Sequence, residues 1–230
     1  MMFLLSMVGA ACSRPTHAAD ELPKPAAQYA PDKATKAGET RTAVFAGGCF
    51  WCVEGVFEQL AGVKDATSGY AGDTKETANY KSVCTGMTKH AEAVMVTYDP
   101  AKITYGELLR VFFTTHDPTT KDRQGPDTGP QYRSAVFYLD DEQKTVAEAY
   151  IKQLNEAKAF ANPIVTTVEP LKAENFFVAE DYHQDYVRCN PNNPYIQYHA
   201  LPKVEKVREK FKDEVKKDGD APAKKEGEKK

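Results

Sequence analysis

"TAVFAGGCFWCVE", Thr42 to Glu54, is the stretch on which the fold turns. Thr42–Gly47 is a short apolar run closed by glycine, which reads as a buried strand. Gly47 and Gly48 permit a tight turn and a close backbone approach. From Cys49 to about Leu60 the chain reads as a helix. Strand, glycine turn and helix in this order put Cys49 at a helix N-terminus. There the dipole and the free N–H groups favour the thiolate, which is the nucleophilic form. The only tryptophan of the chain, Trp51, lies between Cys49 and Cys52. Three readings of the stretch are open: a disulfide switch, a metal knuckle, or a nucleophile with its own apolar pocket.

Further along, element types alternate. "AEAVMVTYD" (91–99) places Val94, Val96 and Tyr98 on one side, as a half-buried strand does. In "TYGELLRVFFTTH", Thr104 and Glu107 form a capping box ahead of an apolar helix. "RSAVFYLD" (133–140) and "IVTTVEP" (164–170) read as strands. "DEQKTVAEAYIKQLNEA" (141–157) aligns Val146, Tyr150 and Leu154 on a helical face. A last amphipathic helix is expected from the spacing of Val204, Val207, Phe211 and Val215. Antiparallel strands with helices on one face predict an α+β sandwich. The polar stretch from Asp117 to Tyr132 has no periodicity, and a loop of that length in a compact domain is often functional.

The chain has 230 residues and a formal charge of −3, so no basic field for nucleic acid is implied. Five scattered cysteines are too few for a disulfide-stapled scaffold. Met1–Cys12 is apolar, uncharged and too short to span a membrane, and residues 1–18 are expected to be a signal or lipoprotein-signal segment. "GAAC" roughly resembles a lipobox ending at Cys12, and "THA" before Ala19 suits ordinary cleavage, so Cys12 is either lipidated or removed. The corresponding location is the cell envelope, periplasmic or lipid-anchored. Residues 19–40 read as a flexible linker, 41–212 as the folded domain, and 213–230, with six Lys and six acidic residues, as a charged disordered tail.

Four stretches carry a resemblance: "GCFWCVE", "NYKSVCTGMTKHAEAV" (79–94), "DPTTKDRQGPDTGPQYRSAVFY" (117–138) and "AEDYHQDY" (179–186). In order and together, they resemble the signatures of the A-type peptide methionine sulfoxide reductases, over about residues 42 to 200. The resemblance implies a ferredoxin-like two-layer α+β sandwich with long functional loops. It implies reduction of methionine (S)-sulfoxide in proteins through a cysteine sulfenic acid, recycled by a thioredoxin-like reductant. Motif by motif, it makes Cys49 the nucleophile, Phe50 and Trp51 the pocket for the S-methyl group, and Glu92 the acid. Tyr80 and Tyr132 would hydrogen-bond the oxygen and Asp127 would hold substrate. Glu54, at the end of the first motif, is grouped with the substrate-binding residues.

Chemistry supports these roles. A sulfoxide sulfur is a poor electrophile until its oxygen is protonated, so a buried acid with a raised pKa is needed. Two phenol donors act on the oxygen as an oxyanion hole would, and an aromatic slot suits a methyl thioether. Without the motifs, Glu92 would be one of 33 acidic residues and a surface charge. Likewise the two tyrosines would be core or rim residues, Trp51 a core anchor and Asp127 a turn residue.

After "EDYHQDYVRCNPNNPYIQYHALP" no cysteine follows, whereas many family members place a resolving thiol in a glycine-rich C-terminal segment. Candidates here are Cys52, one helical turn from Cys49, and Cys189; direct reduction by an outside thiol is the third route. Cys84 reads as structural. His183 is expected to orient the C-terminal segment and His116 to sit at a helix end. No short-spaced Cys or His pair suggests zinc, and no metal or organic cofactor is expected. The expected partners are oxidised proteins and a thioredoxin-like reductant, with the chain monomeric. The rivals are a general thiol–disulfide oxidoreductase using Cys49 and Cys52, and a non-catalytic module that kept the aromatic pocket.

Overall fold

A computed structural model describes residues 21–26 and 38–217. In chain order its elements are β1 (Arg41–Gly47), α1 (Phe50–Phe57), β2 (Val63–Ala71), α2 (Tyr80–Val83), β3 (Ala91–Tyr98), α3 (Tyr105–Thr115), β4 (Arg123–Gln124) and β5 (Asp127–Thr128). They continue with β6 (Ser134–Tyr138), α4 (Asp141–Glu156), β7 (Thr167–Pro170), β8 (Phe177–Val178), α5 (Tyr186–Cys189), a π-helical turn (Ile196–Ala200) and α6 (Leu201–Lys210). Six strands form one mixed sheet in the order β7-β6-β1-β3-β2-β8. Only the β6–β7 pair is parallel.

The alternation along β3 sets the layers. Val94, Val96 and Tyr98 enter the main core with side chains of α1, α3 and α4, while Ala91 and Ala93 face a smaller cluster closed by Leu171 and Phe176. Glu92 has the same phase as Val94, so the sheet itself delivers a carboxyl to the helical side. On α3 the capping box forms as read: Thr104 Oγ1 accepts from Glu107 N at 3.2 Å and Glu107 Oε2 accepts from Thr104 N at 2.8 Å. At the turn between β1 and α1, Gly48 has φ +93°, and a Cβ there would come within 2.5 Å of Gln124. The glycine thus lets the cysteine turn lie directly on the loop that carries Asp127.

Several expectations are revised. β2 was not legible, because "VKDATSGYA" carries polar and glycine positions that its pairing with β3 and β8 compensates. α1 ends at Phe57 and α6 at Lys210, so Val215 is not on a helix; it forms a bridge with Leu60. Beside that bridge, Lys216 N donates to Gln59 O at 2.7 Å, so the tail is paired through its first residues. The linker reading of 19–40 also yields in part. Leu22 is 2% exposed in the main core. The buried Arg110 guanidinium donates to Leu22 O at 3.1 Å and Tyr150 donates to Pro23 O at 2.8 Å. Residues 1–20, with Cys12 and the signal segment, and residues 218–230 lie outside the described residues. Among the described residues no helix is long and apolar enough to cross a membrane.

Candidate active site

Cys49 is the N-cap of α1, with φ −53° and ψ 121°, and Cys52 N donates to Cys49 O at 3.1 Å. Both thiols are buried and free, and they are hydrogen-bonded to each other. Their protons do not follow the simple dipole argument. Burial pushes the Cys49 thiol well above its ordinary range, and Cys52 and Glu92 add to the shift. The hydrogen bond from Cys49 brings Cys52 down to about 7 against the opposing effect of burial, with Lys203 helping. The shared hydrogen bond thus acts in opposite directions on the two thiols, raising Cys49 and lowering Cys52. The expectation of a low-pKa Cys49 is corrected: the helix N-terminus is real, but desolvation outweighs it.

Glu92, 2% exposed, accepts from Phe50 N through Oε2 at 3.1 Å. Burial raises its pKa to about 8; the Phe50 bond opposes the shift and Asp127 and Cys52 add to it. A carboxyl beside Cys49 is thus shifted towards its protonated form at neutrality. The Tyr80 and Tyr132 phenols are raised chiefly by burial, and both feel Glu92 and Cys49. They remain hydrogen-bond donors at any pH where the protein works. Phe50 is buried and Trp51 half-buried, their ring centroids 6.3 Å apart.

Asp127 accepts from the Tyr195 phenol at 2.5 Å, and the same phenol is within hydrogen-bonding reach of both sulfurs. Tyr186 stacks on the Trp51 indole at 3.8 Å and 7° between planes. Neither Tyr186 nor Tyr195 was singled out from sequence. Tyr186 closes the "AEDYHQDY" motif, a usable signal; Tyr195, in aperiodic "NPNNPYIQ", had none. Ile196 packs with Cys49 and Cys52 in one apolar cluster, so this C-terminal segment roofs the thiols.

Two candidates lie elsewhere. Cys189 is exposed at the end of α5, while the buried Val187 two residues earlier faces Gly55. Glu54 is buried on the other flank of α1, where it raises the pKa of Glu58; Asp185 and Arg188 complete that cluster. It stands one helical turn after Phe50 and one turn before Glu58, in the part of α1 that packs against α5. His183 does not bond the C-terminal segment as expected. Its Nδ1 accepts from Trp51 Nε1 at 3.1 Å. His116 caps the end of α3, with Nδ1 at 2.7 Å from Phe112 O.

Comparison with known proteins agrees with this geometry. The family model described as peptide methionine sulfoxide reductase matches residues 41–215. Peptide methionine sulfoxide reductase MsrA 2 of Synechocystis sp. is 51% identical over 196 residues, which is 85% of this chain and 90% of that protein. The enzyme named MsrA of Natronomonas pharaonis is 53% identical over 176 residues, covering 76% and 98%. Among solved structures, reduced Mxr1 of Saccharomyces cerevisiae superposes with a TM-score of 0.61 at 35% identity, covering 71% of this chain and 93% of that one. Methionine sulfoxide reductase A of Corynebacterium diphtheriae gives 0.59 at 33% identity, covering 80% and 93%. With the matched region spanning β1 to the Val215 bridge and every motif residue inside it, the chain belongs to the peptide methionine sulfoxide reductase family.

Proposed function

We propose that this chain reduces methionine (S)-sulfoxide in proteins, with Cys49 as nucleophile and Glu92 as acid. The observation that carries the reading is the buried Glu92 carboxyl, its Oε2 accepting from Phe50 N–H at the turn that holds Cys49 and Cys52. Phe50 and Trp51 receive the methyl group, Tyr80 and Tyr132 donate to the oxygen, and Asp127, fixed by Tyr195, orients the substrate. Glu92 gives its proton to the sulfoxide oxygen as Cys49 attacks sulfur, while the Cys49 proton passes to the Cys52 thiolate. The oxygen moves to Cys49 as a sulfenic acid and methionine departs. A second thiol then displaces water from that sulfenic acid and forms a disulfide.

Cys52 is our choice for this second step. Its thiol is hydrogen-bonded to Cys49 within one apolar cluster and its pKa is near the optimum for attack, whereas Cys189 is exposed at the end of α5. Side chains three apart on a helix have Cβ atoms about 5–6 Å apart, and a disulfide needs about 3.5–4.5 Å. The first turn of α1 must therefore open slightly as the bond forms. A thioredoxin-like dithiol would restore the pair. The unit β1-α1-β2-β3-α3-β6, with its strands ordered β6-β1-β3-β2, supports a ferredoxin-like classification of the core. An envelope location follows from the Met1–Ala19 reading of the sequence alone. The deciding experiment is turnover of S- and R-sulfoxide peptides with dithiothreitol. Wild type should consume only the S form; R-sulfoxide turnover at a similar rate overturns the stereochemical assignment.

A further inference from the structure

Aromatic rings flank the site on two sides, and one buried side chain touches both. His183 is 1% exposed. On the thiol side its ring lies 4.9 Å from Phe50 and its Nδ1 accepts the Trp51 indole N–H at 3.1 Å. On the oxygen side its ring lies 4.6 Å from Tyr80. The indole can only donate, so Nδ1 must be bare and the proton of a neutral ring must sit on Nε2. The bond thus assigns the tautomer.

An imidazolium would carry N–H on both nitrogens, and its Nδ1–H would face the indole N–H. Protonation and the Trp51 bond are mutually exclusive. What could favour the cation is limited. Around His183 stand Phe50 and Trp51 from α1, Tyr80 from α2, and Tyr182 and Glu180 from its own turn. Among these Glu180 is the one charged group, and its Oε2 is 3.9 Å from Nε2, beyond a hydrogen bond. That carboxylate is also engaged: it accepts from the Tyr70 phenol at 2.8 Å and from Tyr80 N at 2.9 Å. Burial accordingly holds the His183 pKa below the ordinary histidine value, with Glu180 only partly opposing it.

We propose that His183 is a positioning residue for sulfoxide reduction: as the neutral Nε2–H tautomer it holds Trp51 at a fixed distance from Tyr80, and its protonation releases the indole. The proposal rests on the site assignment above, since it takes the Trp51–Tyr80 gap as the substrate slot. Its signature is weaker substrate binding in acid, separate from the loss of thiolate that lowers the chemical rate.

Because Trp51 is the only tryptophan, one indole N–H resonance and one emission band report on the bond. In wild type both should shift as pH falls below about 6.5. Over the same range KM for an S-sulfoxide peptide should rise about fivefold, the effect of one neutral hydrogen bond. His183→Gln keeps an acceptor but cannot be protonated, so it should keep the neutral-pH KM and lose the acid transition in both signals. His183→Phe should raise KM about fivefold at every pH. An acid transition retained in His183→Gln overturns the proposal, as does a wild-type KM in a folded His183→Phe. Should His183→Phe not fold, the glutamine variant decides alone. If wild type fails to reduce the sulfoxide, the functional reading falls, yet the indole resonance still tests the hydrogen bond.

Discussion

The two flanks of α1 each hold a carboxyl whose pKa burial raises to about 8, Glu92 against its N-terminus and Glu58 near its other end. Their neighbours differ. Glu92 has one backbone donor, from Phe50, and beyond it two thiols and two phenols. Glu58 is hydrogen-bonded to Asp185 and lies with Glu54 and Arg188, and Arg188 pairs with Asp185 at 2.8 Å. The second cluster ties α1 to α5, a contact so close that a Cβ on Gly55 would meet Val187 at 2.9 Å. A perturbed carboxyl marks a site only when something reactive faces it. On the proposed mechanism, the comparison separates a proton held for delivery from a proton shared between carboxyls where two helices meet.

The largest test of this contrast removes the group that makes the first flank reactive. Cys49→Ser should abolish methionine release, because a hydroxyl is hardly ionised near neutrality; measurable burst release in single turnover would move the nucleophile elsewhere.

Glu92→Gln comes next. It should lower kcat by about a hundredfold to ten-thousandfold, the usual worth of a general acid. The pH profile gives the same information without mutation. The acid must be protonated and its pKa is about 8, so the wild-type rate should fall as pH rises through that value. A rate flat to pH 10 would assign the proton to another group.

Between the extremes lie the second thiols. Cys52→Ser should still release about one equivalent of methionine, then lose turnover with thioredoxin by tenfold or more while dithiothreitol rescues it. Cys189→Ser should leave both assays unchanged. A Cys49–Cys189 crosslink found by peptide mapping of the oxidised enzyme would reverse these two roles.

The smallest effect on activity belongs to the second flank. Glu58→Gln should leave kcat within about twofold, since it touches no reacting atom. It should instead change stability. A carboxyl with a raised folded pKa contributes most when protonated, and that contribution is lost as pH rises from the unfolded value towards about 8. The thermal midpoint of Glu58→Gln relative to wild type should therefore climb between pH 5 and pH 8. A constant difference would mean that Glu58 carries its charge in the folded protein.

Local periodicity made much of the protein readable. The strand, glycine turn and helix around Cys49, the capping box at Thr104 and the alternation through Val94, Val96 and Tyr98 are properties of neighbouring residues, and the structure keeps all of them. The motif set pointed to Cys49, Phe50 and Glu92, which the structure brings together, and also to Glu54, which it groups with Glu58. Contacts between distant residues decided the rest. Glu92 reaches Phe50 N across 42 positions, Tyr195 reaches Asp127 across 68, and Trp51 reaches His183 across 132. Glu54 looked like part of the first motif, but the helix turned it towards Glu58. The order in which Cys49 and Cys52 lose their protons was likewise beyond the sequence. A helix N-terminus can be read from a pattern, whereas desolvation depends on which side chains the tertiary fold packs over the sulfur.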